Sequence, residues 1–131
     1  MEYVQLIAAL AILQFFFFAA MVGKARVKFG IKAPAITGDE GFERMYRVQM
    51  NTLEVLVMFL PALFLAGIYW SGLLVSALGG IYIIGRFLYW RAYVTEPSSR
   101  GLGFILSIIP SLILIILAIV GAISSLIGFS F

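Results

Sequence analysis

Three long runs without a charged residue constrain this chain more than any other feature. They cover residues 3–22, 55–85 and 102–131. Because about 20 apolar residues are needed to cross roughly 30 Å of hydrocarbon, the first and last runs each predict a membrane-spanning helix. Glu2 is the only charge that precedes the first run, which therefore lacks the basic start of a signal peptide, so we expect it to be retained.

The middle run predicts a helical hairpin. As one helix, its 31 residues would extend roughly 46 Å, too long for one span, and they are too few for two. The aromatic pair Tyr69-Trp70 followed by Ser71-Gly72 predicts a turn at the membrane surface. We therefore expect an all-α membrane protein, a four-helix transmembrane bundle. Its single domain, 1–131, would have spans at about 3–23, 42–69, 72–94 and 102–127, with a polar loop from Gly23 to Gly41.

The basic residues predict the orientation of this bundle. With four spans, all nine Lys and Arg residues lie in the first and third loops or in the adjoining helix ends, on one side of the membrane. The positive-inside rule assigns that side to the cytoplasm and both termini to the other side. Because basic residues alternate with apolar spans, we interpret the net charge of +3 as membrane topology and expect no nucleic-acid partner.

Polar residues on the second and third helices form two stripes. Helical spacing places the first on one face, with Gln49 nearly opposite, and the second on one face, with Arg91 pointing away. The stripes consist of Arg44, Arg47, Asn51 and Glu54, and of Tyr82, Arg86, Tyr89 and Tyr93. Buried pairs that hold membrane helices together are one explanation. A charged, peptide-like ligand explains the combination better. The chain contains no Cys or His, which excludes a thiol nucleophile and most zinc or haem sites, so we expect no metal.

The two motifs resemble a known family. Residues 42–54 read FERMYRVQMNTLE, and residues 85–93 read GRFLYWRAY, with Arg100 seven residues later. Both resemble the helix signatures of the membrane-associated proteins in eicosanoid and glutathione metabolism. The resemblance implies a homotrimer with glutathione, the co-substrate, bound between subunits near the cytoplasmic face.

The same resemblance implies roles for individual residues. Arg100 would stabilise the glutathione thiolate, and Arg26 and Gln49 would reach glutathione from the neighbouring subunit. We include Arg86 in the glutathione-binding set because it lies on the third-helix stripe. The other implied glutathione-binding residues are Arg47, Asn51, Glu54, Tyr89 and Tyr93.

The expected activity is a microsomal type of glutathione transferase. Glutathione would attack a lipophilic electrophile from the bilayer in a detoxification reaction, with possible peroxidase activity on lipid hydroperoxides. The eicosanoid-making branch has a tyrosine and an arginine where this chain has Val55 and Val27, which argues against leukotriene synthesis. Two alternatives remain: a non-enzymatic lipid-binding scaffold of the same family, and a small proton-coupled exporter that uses Glu54.

Overall fold

Four long helices, joined by short connections, form an antiparallel bundle. The computed structural model describes residues 1–128. The helices are α1 (Glu2–Phe29), α2 (Glu40–Tyr69), α3 (Gly72–Thr95) and α4 (Gly101–Leu126), and a 3₁₀ turn at Pro97–Ser99 precedes α4. All four helices are long and apolar enough to cross a membrane. The chain is therefore an integral, multi-pass membrane protein.

Local side-chain contacts fix where the helices begin and end. The Asp39 carboxylate accepts hydrogen bonds from the N–H groups of Gly41 (2.8 Å) and Phe42 (3.3 Å), which caps α2. The turn between α2 and α3 consists of Trp70 and Ser71, within the segment that the sequence predicted. The Trp70 indole N–H donates to the carbonyl of Leu117 at 2.8 Å, so this turn is fastened to α4.

The first helix is longer than its predicted span. The sequence predicted a polar loop from Gly23, but α1 continues to Phe29 and ends at Gly30, which has a φ of 69°. Lys24, Arg26 and Lys28 are compatible with a helix, since long basic side chains have good helix propensity and can extend to water from an apolar surface. The helix stops where glycine adopts the left-handed conformation that other residues avoid.

Mostly small residues lie on the face of α4 that packs into the bundle, and most of its large apolar residues, Leu114 excepted, face outward. The exposed side chains include Ile109, Ile116 and Ile119, each about half exposed. The buried positions are Gly103, Ser107, Pro110, Ser111, Leu114, Ala118, Gly121 and Ser124. Small residues let membrane helices approach closely, and lipid covers the large apolar side chains.

The bundle core has two apolar clusters with a polar layer between them. Phe59 and Tyr82 stack at 3.8 Å in the cluster toward the α2–α3 turn. Phe18, Phe42 and Tyr89 belong to the cluster at the basic end. Along their helices, the buried residues Gln14, Thr52 and Arg86 lie between these clusters, and Ser107 of α4 joins them through its hydrogen bond with Arg86. This polar layer supports one wall of the cavity described next.

Candidate functional site

A cavity of about 540 Å³ opens at the basic end of the bundle between α2, α3 and the start of α4. It brings five of the predicted site residues together: Arg47, Asn51, Tyr89, Tyr93 and Arg100. Ser98, Gly101 and Phe104 complete its lining. The two polar stripes thus face a common space, and the loop before α4 closes one side of it.

The α2 wall of the cavity carries an ion pair. Arg47 and Asn51 lie one turn apart and line the cavity. Glu54 follows one turn later and accepts a 3.0 Å contact from the Arg47 guanidinium. The Arg47 and Glu54 side chains are 49% and 58% exposed in the single chain. Glu54 therefore lies beside the cavity and positions Arg47, and both groups remain accessible to a ligand or to another subunit.

The opposite wall is aromatic and ends in a cation. The rings of Tyr89 and Tyr93 stack at 5.5 Å. The Arg100 guanidinium lies 5.9 Å from the Tyr93 ring centroid and donates a 2.9 Å hydrogen bond to the carbonyl of Pro97. No side chain caps the start of α4, and Gly101 of its first turn lines the cavity. The positive end of the helix dipole therefore adds to the charge of Arg100.

Arg86 lies behind the cavity wall, whereas the sequence placed it in the ligand-binding set. Its side chain is completely buried. It donates to Ser107 Oγ and to Asn51 Oδ1, both at 2.8 Å, and to Thr52 Oγ1 at 3.2 Å. Its guanidinium also lies 4.3 Å from the ring centroid of Tyr89. Arg86 therefore does not line the cavity itself but contacts two residues that do, Asn51 and Tyr89.

Arg26 and Gln49 do not join this cavity within one chain. The Arg26 guanidinium donates to the carbonyls of Ala35 (2.7 Å) and Ile31 (3.4 Å), and so holds the loop between α1 and α2. It also lies 4.7 Å from the Phe42 ring centroid. Gln49 is half-buried on a face of α2 directed away from Arg47.

Sequence reasoning missed the contribution of α4. Ser107 binds Arg86, and Gly103 packs so closely against α3 that an added Cβ would lie 2.3 Å from the Tyr89 nitrogen. Gly103, Ser107 and Ser111 recur every four residues, a spacing typical of a closely packed membrane-helix face. That signal was present in the sequence, but the predicted span was interpreted only from its lack of charge.

The chemistry of the cavity favours an anionic ligand. Two arginines and no carboxylate line it. The guanidinium groups can bind carboxylates or stabilise a developing anion, and the amide and phenols can orient a polar backbone. Without a cysteine or histidine in the chain, the site is better suited to activating a ligand's nucleophile than to providing one.

Comparisons with known proteins identify the family of the chain. The model of the MAPEG family matches residues 4–120. An uncharacterized protein of Synechocystis is 43% identical over 111 residues, which are 85% of this chain and 81% of that protein. Human microsomal glutathione S-transferase 2 is 42% identical over 106 residues, covering 79% of this chain and 72% of that protein. Bovine leukotriene C4 synthase is 33% identical over 84 residues, 64% of this chain and 56% of that protein. The chain belongs to the MAPEG family, the group that the motifs on its second and third helices resemble.

Proposed function

We propose that the protein is a membrane-bound glutathione transferase that activates glutathione as a thiolate for attack on lipophilic electrophiles. The observation that carries this proposal is the cavity, where Arg47, Asn51, Tyr89, Tyr93 and Arg100 meet at the basic end of a membrane bundle. The similarity to human microsomal glutathione S-transferase 2 supports the same chemistry.

The cavity suits glutathione in size and in charge. Its volume of about 540 Å³ lies within the usual range of roughly 300–1,000 Å³ for small-molecule sites. Glutathione carries two carboxylates, one ammonium group and a thiol. In the proposed complex Arg47 binds a carboxylate and Glu54 accepts from the ammonium group. Asn51, Tyr89 and Tyr93 orient the peptide groups, and Arg86 positions Asn51 and Tyr89 from behind.

Arg100 is the proposed activating residue. A free thiol has a pKa near 8.5, so only about 3% is thiolate at pH 7. Lowering this pKa by two makes about three quarters of it thiolate and requires about 2.7 kcal/mol of preferential stabilisation. One guanidinium about 4 Å from the sulfur supplies up to roughly 4 kcal/mol at an effective dielectric constant near 20. A single arginine is therefore sufficient, without a metal or a protein nucleophile.

The reaction needs only the thiolate and the electrophile. The thiol proton leaves to solvent, and the sulfur electron pair forms a bond to the electrophilic carbon. In a substitution, the leaving group departs with its bonding pair. In an addition to an activated double bond, the displaced electron pair takes up a proton. With a lipid hydroperoxide, two glutathione molecules would be oxidised to the disulfide while the hydroperoxide is reduced to an alcohol and water.

The proposed assembly is a homotrimer with the basic end in the cytoplasm. In a single chain, Arg47 and Glu54 are about half exposed although they belong to a membrane-spanning helix. Charged groups at membrane depth usually face protein or water, so a neighbouring subunit would cover them. Arg26 and Gln49 of that neighbour would complete the site. The basic loops support the cytoplasmic orientation.

The ion pair argues against the exporter alternative. The carrier carboxylate of an exporter should have little charge compensation, whereas Glu54 is paired with the Arg47 guanidinium at 3.0 Å. The scaffold alternative differs from the enzyme in having no turnover, so one experiment separates the three functions.

The test is a glutathione-binding titration of the purified protein, together with conjugation of glutathione to a hydrophobic aryl chloride. We expect saturable binding and turnover, both strongly reduced in Arg47→Ala. Lys32→Ala is the matched control, since it removes one positive charge from an exposed loop at the same end and should change neither. Binding without turnover would identify a scaffold, and absence of binding would refute the proposal.

A further inference from the structure

A second cavity at the basic end faces away from the proposed glutathione site. It has a volume of about 320 Å³ and lies between α1, the start of α2 and the end of α3. It shares no lining residue with the first cavity. On α3, for example, Trp90 and Arg91 line the second cavity, while Tyr89 and Tyr93 line the first. We call this second cavity the α1–α3 groove.

Three cations without carboxylate partners surround the groove. Lys24 and Lys28 lie one turn apart on α1, and Arg91 contributes from α3. No acidic residue lines the groove. Within residues 1–128 the ion pairs are Arg44–Glu40 and Arg47–Glu54, so none of these three cations is neutralised by the chain. The groove is therefore complementary to an anion.

The floor of the groove is apolar, and the apolar surface continues beyond it. Met21, Met45 and Trp90 line the interior. The Phe17 ring packs edge-on against Trp90 at 5.4 Å, and the Phe87 ring lies 6.5 Å from Trp90. Phe17 and Phe87 are 38% and 41% exposed on the outer surface of the helices. A cationic rim above an exposed aromatic wall matches an anionic head group with an attached acyl chain, whereas a soluble anion would use only the rim.

The direction of the lysines separates the groove from the proposed subunit contact. Lys24 and Lys28 are each two residues from Arg26, so helical geometry turns them about 160° away from it. Because Arg26 is the residue proposed to serve the neighbouring subunit, the lysine rim of the groove would point away from that contact, toward lipid.

We propose that the α1–α3 groove binds one anionic phospholipid from the leaflet on the basic side of the membrane. The phosphate contacts Lys24, Lys28 and Arg91, and an acyl chain lies along Phe17 and Phe87. This binding is more selective than the general attraction of basic loops to anionic membranes, because it needs the groove as well as the charge. It is independent of glutathione binding.

Trp90 provides a probe inside the groove. Trp70 is the only other tryptophan in the sequence and lies at the opposite end of the bundle, so the Trp70→Phe variant leaves Trp90 as the single emitter. The protein is reconstituted in one mixture of phosphatidylglycerol and phosphatidylcholine, with bromine carried by the acyl chains of either one lipid or the other. Bromine quenches tryptophan on contact. We expect brominated phosphatidylglycerol to bind at least about tenfold more strongly than brominated phosphatidylcholine.

Two charge variants separate a site from a surface potential. Lys28→Gln should reduce the preference for phosphatidylglycerol about fivefold, whereas Lys32→Gln, which removes the same charge outside the groove, should preserve it. Equal quenching by both lipids, equal effects of the two substitutions, or no quenching by either lipid would each overturn the proposal. If Trp70→Phe does not fold, the same comparisons are made in the otherwise unmodified protein, and the quenching of Trp70 measured in Trp90→Phe is subtracted.

Discussion

Two arginines on opposite sides of one cavity wall have different tasks. Arg100 is exposed at the cavity, where a guanidinium can act on a bound anion. Arg86 is completely buried and donates to Asn51, Thr52 and Ser107. Arg100 is the proposed catalytic residue, and Arg86 is proposed to be a positioning residue. Substituting Arg100 should therefore affect thiol activation, and substituting Arg86 should affect glutathione binding.

Replacing Arg86 should weaken glutathione binding more than it changes thiol activation. In Arg86→Met the hydrogen bond to Asn51 is lost, and bonds to a charged group contribute about 1.5–3 kcal/mol. We expect KM for glutathione to rise about ten- to a hundredfold, because a 1.4 kcal/mol change is a factor of ten. The thiol pKa of bound glutathione should stay low.

The control for this prediction is Ser107→Ala. It removes the 2.8 Å bond to Arg86 Nε and the 2.7 Å bond that the Ser107 hydroxyl donates within α4 to the carbonyl of Gly103. The bond between Arg86 and Asn51 remains, so KM should rise less than in Arg86→Met. Steady-state kinetics over a range of glutathione concentrations distinguish the two variants. If Arg86→Met lowered kcat and left KM unchanged, Arg86 would not be positioning the binding residues.

At the residue scale, polar side chains among apolar spans made the candidate site predictable. Arg47, Asn51, Tyr89, Tyr93 and Arg100 stand out because polar residues in or beside apolar spans need a reason to be there. The same logic could not distinguish Arg86 from them, since depth behind a wall depends on α4, which contributes no charge. The roles of Ser107 and Gly103 can be identified only when their contacts with α3 are known.

At the scale of elements, the close approach of α4 to α3 shapes the cavity. An added Cβ at Gly103 would lie 2.3 Å from the Tyr89 nitrogen and 2.6 Å from its Cα. At Gly85, an added Cβ would lie 2.7 Å from the Leu106 carbonyl carbon. Backbone atoms cannot move aside as a flexible side chain can, so these two glycines set the spacing between the helices.

Gly103→Ala should therefore destabilise the bundle, although alanine is the better helix former by about 1 kcal/mol. The helices must separate, which moves Tyr89 and widens the cavity, so both the unfolding temperature in detergent and glutathione affinity should fall. Gly80→Ala in α3 is the matched control, because nothing lies within 4 Å of its added Cβ. That variant should be neutral or more stable. Equal stability of Gly103→Ala and Gly80→Ala would show that the α3–α4 spacing is not critical.

The helix ends show which local features sequence reasoning resolved. The turn at Trp70 and Ser71 was predictable because the uncharged run had the wrong length for one or two spans. The end of α1 was not predictable in the same way, because the basic residues after Gly23 indicated a loop. Hydropathy indicates where a chain leaves the hydrocarbon, not where its helix ends. The last residue of α1 is Phe29, because Gly30 adopts the left-handed conformation that ends the helix.

At the scale of the whole molecule, orientation is open to direct measurement. The chain lacks cysteine, so Lys32→Cys and Ser98→Cys introduce single reactive thiols at the basic end. We expect a membrane-impermeant maleimide to label both only from the cytoplasmic side. Ser125→Cys, near the other end of the bundle, should be labelled only from the opposite side. The reverse pattern would invert the topology.

A shared active site predicts complementation between two defective chains. Arg26 and Gln49 lie outside the cavity of their own chain, and the proposed trimer places them at the neighbour's cavity. Head-to-tail contacts of this kind close into a ring when the rotation between subunits fits. One variant carries Arg26→Ala and Gln49→Ala, and the other carries Arg100→Ala.

Co-assembly of these variants should form some sites with the natural residues on both sides. Part of the glutathione-conjugating activity should then return in mixed oligomers isolated by tandem purification with two tags. Separately prepared variants mixed after purification are the control. Mixed oligomers as inactive as either parent would show that each chain completes its own site.

The pKa of the glutathione thiol in the bound state tests the central claim most directly. The ultraviolet absorbance of the thiolate, followed against pH in the complex, gives this value without an electrophile. For the wild-type protein we predict a fall from about 8.5 in solution to about 6.5, since a nearby cation favours the anion. In Arg100→Ala, with glutathione still bound as shown by titration, the pKa should return to about 8.5. An unchanged pKa in the wild-type complex, or the same low pKa in Arg100→Ala, would contradict thiolate activation by Arg100.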